Sequence, residues 1–213
     1  MSDARATIFL VDDDEAVLRA LRRLLGAAGH DVRSYQSPRR FMAEHDPAVP
    51  GCAVLDLSMP DIDGLQIQAA LSSGAAMRPV IFLTGAGDIP TSVRAMKAGA
   101  VDFLTKPVQS GDLLAAIGRA LALDRDRRQA REQVDGATGK LATLTPRERE
   151  VLTLVVAGRL NKQIAHELGT SIKTIKVHRA RVMTKMGVRT VADLGRAAGL
   201  AGNSEAGPGS DRT

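Results

Sequence analysis

The chain has no tryptophan, one tyrosine and four phenylalanines, so aromatics make up only 2% of its 213 residues. Its core must be built from aliphatic side chains, and at 44% apolar content there are enough of them to exclude wholesale disorder. No apolar run approaches the roughly 18 residues of a membrane-spanning helix. The start, "MSDARATIFLVDDD", lacks the basic opening, apolar middle and small-residue cleavage site of a secretory signal. The single cysteine, Cys52, can form no internal disulfide. Together these absences make the cytoplasm the expected compartment and argue against a membrane partner.

Charge is present but unevenly spread. Residues 1–123 hold 12 Lys/Arg against 14 Asp/Glu, a net of −2, whereas residues 144–200 hold 11 against 4, a net of +7. An acidic front and a basic back imply two domains, the second facing a polyanion.

In the front part, short apolar runs alternate with amphipathic segments. "TIFLVD" (7–12), "DVRSYQ", "CAVLDL" (52–57), "VIFLTG" (80–85) and "VDFLTKP" (101–107) read as strands. The first helix spans Glu15–Ala28, with Val17, Leu21, Leu24 and Ala28 as its apolar stripe and Gly29 as its stop. Five strand–helix alternations predict a parallel sheet covered on both faces, a doubly wound flavodoxin-like α/β fold. The segment 124–143 is charged and poor in bulky apolar residues; it reads as a linker that is either helical or broken, with Gly136 and Gly139 favouring the break. From Leu144 apolar periodicity returns in helices only, giving a four-helix domain over 144–200. Residues 201–213, rich in Gly, Ser and Pro, are expected to be disordered.

In a doubly wound sheet, ligands bind beyond the carboxyl ends of the strands, where the strand order reverses. If the strands follow the common order 2-1-3-4-5, that crevice lies between strands 1 and 3. Asp12 and Asp13 end the first, Asp56 the third. Such crowded carboxylates resist joint ionisation unless a cation sits among them, and a hard divalent ion with oxygen ligands meets that need. Thr84 ends strand 4 with a hydroxyl and Lys106 ends strand 5 with an ammonium. The set suits a transferred phosphoryl group, with Asp56 as nucleophile.

Asp12/Asp13, Asp56 within "DLSMPDIDG", Thr84 and the "KP" at 106–107 resemble, in order and over residues 5 to about 122, the receiver domain of bacterial two-component response regulators. The resemblance implies that Asp56 is the phosphoacceptor, supplied by a sensor histidine kinase. It implies Mg²⁺ held by Asp13, Asp56 and the Ser58 backbone carbonyl, with Asp12 assisting. It implies Thr84 and Phe103 as a switch pair, Lys106 as the phosphate partner, and a cis bond before Pro107. Homodimerisation through the fourth helix and fifth strand, including Arg94, Lys97 and Asp102, would follow phosphorylation. The competing reading is an aspartyl-phosphate phosphohydrolase. Such enzymes usually carry a second aspartate two residues past the nucleophile, where this chain has Ser58, so a non-enzyme is expected.

In the basic part, "TLTPREREVLTLVVAG" opens a helix: Thr145 caps, Pro146 takes the first helical position, and Glu148 completes a capping box. "NKQIAHELG" is a second short helix, Gly169 makes a turn, and Ser171 caps a third, "IKTIKVHRARVMTKMG". That arrangement suggests helix-turn-helix. On the third helix Ile175, His178, Val182 and Met186 share one face. Lys173, Lys176, Val177, Ala180, Arg181 and Thr184 lie broadly opposite, cations beside small apolar groups that can meet phosphates, guanine edges and thymine methyls. His178 is expected to be packed rather than a zinc ligand.

"LTPREREVL", "NKQIA" and "TIKVHRARVMTKM" resemble the LuxR-type helix-turn-helix that ends response regulators of the NarL/FixJ class, over residues 142 to about 198. With "GDIPTSVRAMKAGAVDFLTKP" added, the whole chain most resembles FixJ-type and styrene-catabolism regulators. The resemblance makes Lys176, Val177 and Arg179 or Ala180 candidate base readers, and Asn161, Lys162 and Thr174 candidate phosphate contacts. It implies promoter DNA and RNA polymerase as partners. A regulator that binds DNA without needing phosphorylation is the remaining alternative.

Overall fold

The computed structural model describes residues 6–60, 62–72, 77–85 and 89–205. The chain divides into two compact units, residues 1–128 and 129–213.

In the first unit the order is β1 (Thr7–Val11), α1 (Glu15–Ala27), β2 (Asp31–Tyr35), α2 (Pro38–Glu44), β3 (Gly51–Asp56), α3 (Gly64–Ser72), β4 (Val80–Thr84), α4 (Ile89–Lys97), β5 (Asp102–Thr105) and the first part of α5 (Ser110–Ala142), whose remainder belongs to the second unit. All strand pairs are parallel and the sheet order is β2-β1-β3-β4-β5. Every residue of β1, β3 and β4 is buried, as expected of strands covered on both faces. Successive side chains alternate between two cores. Phe9, Val11, Leu55 and Phe82 fill one, and Ile8, Leu10, Val54, Ile81 and Leu83 fill the other. Three of the four phenylalanines, Phe9, Phe41 and Phe82, are fully buried, all in the first of these cores.

The apolar stripe of α1 differs from the sequence reading. Leu18, Leu21 and Leu25 are the buried set, Val17 and Leu24 flank them, and Ala28 is the exposed residue at the helix end. Both sets satisfy helical periodicity, and packing on the sheet selects the one rotated by a single position. Gly29, at φ 86°, reverses the chain after it.

A second difference concerns α5. It runs unbroken through Gly136 and Gly139, so the glycines do not interrupt the segment 124–143. A helical glycine costs about 1 kcal/mol relative to alanine. Anchoring outweighs that: Leu113, Ile117 and Ala120 are buried at one end and Ala137 near the other, while the i,i+4 pairs Asp124–Arg128 and Arg131–Asp135 line the stretch between.

The second unit continues with α6 (Pro146–Val156), α7 (Asn161–Glu167), α8 (Ile172–Met186) and α9 (Val191–Glu205). Its core joins Val151, Leu152, Val155, Ile164, Ile175, Val182, Met186 and Leu194. Thr145 and Glu148 form the capping box, with Pro146 in the first turn. Helix α9 extends through Glu205, so residues 201–205 are helical where composition predicts disorder; residues 206–213 lie outside the described residues. No helix among the described residues is long and apolar enough to cross a membrane.

Candidate functional site

The acidic run Asp12–Glu15 splits into separate jobs. Asp14 is the N-cap of α1, its carboxylate accepting from the backbone N–H of Ala16 at 2.7 Å and Val17 at 3.3 Å. Glu15 pairs with Arg19 one turn on. That leaves Asp12, buried, and Asp13, exposed, beyond the end of β1. Asp56, the last residue of the adjacent β3, is also buried. One ligand oxygen from each of Asp12, Asp13 and Asp56 can be chosen so that all three lie within 4.8 Å of one another.

Lys106, just past β5, reaches into this group. Its ammonium donates to Asp12 Oδ2 at 2.6 Å and lies 3.4 Å from Asp56 Oδ1. Asp12 Oδ1 accepts from the Asp14 backbone N–H at 2.9 Å, so both oxygens of Asp12 are engaged. Burial raises the Asp56 carboxyl above its ordinary range; Lys106 opposes that shift, Asp12 adds to it, and a backbone hydrogen bond from Ser58 opposes it. Lys106 is raised in spite of burial, because it bonds to Asp12 and faces Asp56.

Thr84 is fully buried at the end of β4, and its carbonyl accepts from the Lys106 N–H at 2.7 Å. Phe103 on β5 is partly buried, its ring 6.5 Å from that of Phe82. The Lys106–Pro107 peptide is cis. Sequence reasoning did not single out Gly64, the first residue of α3. A Cβ there would stand 2.7 Å from both the Asp56 carbonyl oxygen and the Phe82 ring. The backbone can approach the acidic site this closely only because the residue is glycine. The "DIDG" sequence carries that signal, but only the fold shows what the glycine touches.

The donor set fits a hard metal cation: oxygens only, gathered from two strand ends, with exposed Asp13 leaving room for water ligands.

In the second unit, α8 starts at Ser171, whose hydroxyl accepts from the Thr174 N–H at 3.1 Å, and stops at Gly187 in the left-handed region with φ 67°. Ile175, Val182 and Met186 are buried. Lys173, Lys176, Val177, Ala180 and Arg181 are exposed together on the other face, and Lys162 is exposed on the first turn of α7. Two of the expected DNA contacts meet each other: Arg179 donates to Asn161 Oδ1 at 3.1 Å. Thr174 shares a 2.8 Å hydroxyl–hydroxyl bond with Ser171. His178 lies half-buried.

Residues 8–118 match the response regulator receiver domain family, and residues 142–198 match the bacterial regulatory proteins of the luxR family. The chain is a response regulator. It is similar to Nodulation protein W of Bradyrhizobium diazoefficiens, 42% identical over 91% of this chain and 85% of that one. Among solved structures it is similar to the response regulator StyR, 44% identical with a TM-score of 0.85, over 92% of this chain and 99% of that one. It is likewise similar to full-length FixJ from B. japonicum, 36% identical with a TM-score of 0.57, over 94% and 98%. As a response regulator with a luxR-type domain, it belongs to a family of transcription regulators rather than enzymes. A receiver implies a sensor-kinase partner, and the helix-turn-helix implies DNA.

Proposed function

We propose that this response regulator takes a phosphoryl group from a sensor histidine kinase onto Asp56, dimerises, and then binds promoter DNA. The observation that carries this reading is the convergence of Asp12, Asp13 and Asp56 within 4.8 Å beside Lys106. Of the three carboxylates, Asp12 has both oxygens engaged and Asp13 is exposed. Asp56 is buried at the tip of β3 facing Lys106, and it acts as the nucleophile. In the transfer, the P–N bond of the kinase phosphohistidine breaks and a P–O bond to Asp56 forms, the charge on the phosphoryl oxygens being shared with a metal and Lys106. Asp13, Asp56 and the Ser58 carbonyl would hold Mg²⁺, with Asp12 assisting through water, and the ion would supply charge neutralisation when bound.

The phosphoryl oxygens would then compete with Asp12 for the Lys106 ammonium and attract the Thr84 hydroxyl, and Phe103 would follow into the space vacated. The α4–β5 face, with Arg94, Lys97 and Asp102, would shift toward the dimer-competent state. Paired α8 helices would enter successive major grooves. Lys176, Val177 and Arg179 or Ala180 would read bases, while Asn161, Lys162 and Thr174 would meet phosphates, Lys173 and Arg181 would lie against the DNA beside them, and RNA polymerase would be the further partner at the promoter.

Incubation with acetyl phosphate and Mg²⁺, followed by intact-mass measurement, tests the first step. The wild type should gain one alkali-labile phosphoryl group and Asp56→Asn none. A full-size adduct on Asp56→Asn would refute the assignment, and DNA binding indifferent to phosphodonor in the wild type would leave a constitutive DNA binder.

A further inference from the structure

The edge of the receiver made by α1, β2 and α2 differs in charge from the rest. Residues 15–44 hold six arginines against three acidic residues, a net of +3, whereas the remainder of residues 1–123 holds six Lys/Arg against eleven Asp/Glu, a net of −5. Within this basic edge lies a cleft of about 350 Å³ between α1 and the β2–α2 turn, within the size range of small-ligand sites. Buried Leu18 and Tyr35 supply its apolar base. Arg19 and Arg22, one turn apart on α1, and Arg40 on α2 line it as cations. Ser37 adds a hydroxyl whose oxygen already accepts from the Arg40 N–H, leaving its proton to donate.

Two of the cations hold replaceable partners. Arg19 pairs with Glu15 at 2.8 Å and Arg40 with Glu44 at 2.7 Å, both as exposed i,i+4 pairs, a class that contributes little to stability. Arg22 forms no ion pair or hydrogen bond with another described residue. Three guanidinium forks over an apolar base, against the single carboxylate of Glu15 in the lining, favour an anion of charge two with a short carbon body. We propose that this cleft is a binding site for a small organic dianion, a phosphomonoester or a dicarboxylate, separate from the Asp56 site. The two sites share the β1–β2 edge, where the Asp12 N–H donates to the Tyr35 carbonyl at 3.2 Å.

The sequence provides its own reporter, since Tyr35 is the only tyrosine and there is no tryptophan. Tyrosine emission of the full chain is followed while propylphosphonate, whose P–C bond cannot transfer phosphorus to Asp56, or succinate is added at constant ionic strength. A saturable change with either supports the site, and the stronger of the two identifies the head group. Arg22→Ala should weaken it roughly tenfold, the loss of one charge-assisted contact. Arg125→Ala, which removes the same charge from an exposed position on α5, should leave it unchanged. The proposal fails if no saturable change occurs, if sodium chloride reproduces it, or if Arg22→Ala leaves it intact. Inorganic phosphate binding as tightly as propylphosphonate would remove the organic body from the assignment. An Arg22-dependent change on adding duplex DNA alone would replace the small ligand by a nucleic acid.

Discussion

At the scale of single residues, environment decides what a side chain does more than its chemical type. Four consecutive acids separate into one member buried against Lys106, one exposed beside it, one helix cap and one surface ion pair. Gly64 matters through the atom it lacks. Gly64→Ala would press a methyl against a backbone oxygen that cannot give way, so it should slow phosphorylation of Asp56 and lower stability by about 1–3 kcal/mol, checked by phosphorylation rate and urea unfolding. His45 offers a pH test. Its Nε2 accepts from Arg78 Nε at 2.8 Å, Arg78 being buried and stacked on the Phe9 ring at 4.3 Å. Burial first, and Arg78 second, lower its pKa below the usual 6.5, against a smaller opposing pull from Asp46. The unfolded chain therefore binds this proton more readily, and stability should fall as pH drops from 6.5 through the depressed folded value. His45→Gln should flatten that dependence; an equal slope in both proteins would contradict the assignment.

At the scale of elements, α5 and the start of α6 carry the clearest consequences. A Cβ at Gly136 or Gly139 would meet nothing within 4 Å. Each change to alanine should therefore stabilise the helix by about 0.5–1 kcal/mol, seen as a higher urea midpoint without loss of helical circular dichroism. At the opening of α6, Glu148 is buried and bonded to Lys185 Nζ at 2.6 Å and to the Thr145 N–H at 2.9 Å. Lys185 first, and the Thr145 backbone next, hold its carboxyl down to about 2 from the ordinary 4.5. Its contribution is present above 4.5 and is lost as pH falls from there toward 2. The gap in unfolding midpoint between wild type and Glu148→Gln should be full at pH 6 and close through that window.

At the scale of the whole molecule, charge partitions between an acidic receiver and a basic helical domain. DNA affinity should fall steeply with salt; Lys162→Ala, which removes a phosphate contact, should reduce the slope of log K against log salt by about one, whereas Lys176→Ala, which removes a base reader, should weaken promoter binding with little change of slope. Binding titrations on promoter DNA at several salt concentrations check this. A slope lowered by about one in Lys176→Ala would instead make Lys176 a phosphate contact.

The strand–helix alternation, the placement of Asp12, Asp56, Thr84 and Lys106 at strand ends, and the caps at Thr145 and Ser171 were all legible in the sequence. Each rests on local periodicity or on a side chain's bond to its own backbone. What the sequence left open depended on neighbours distant in the chain. Leu18 is buried in place of Val17 because a sheet face, absent from local periodicity, selects the rotation of α1. Gly136 and Gly139 remain helical because buried residues elsewhere on the helix, Ala137 between them included, outweigh their local cost. Arg78 and Asp124 are buried ions whose partners, the 45–49 loop carbonyls with His45 and the Gly51 N–H with Arg128, lie tens of residues or one helical turn away. The sequence by itself determined which groups stand at the tip of each strand; only tertiary structure decided which of them touch, because contact depends on distances across the fold that no local pattern encodes.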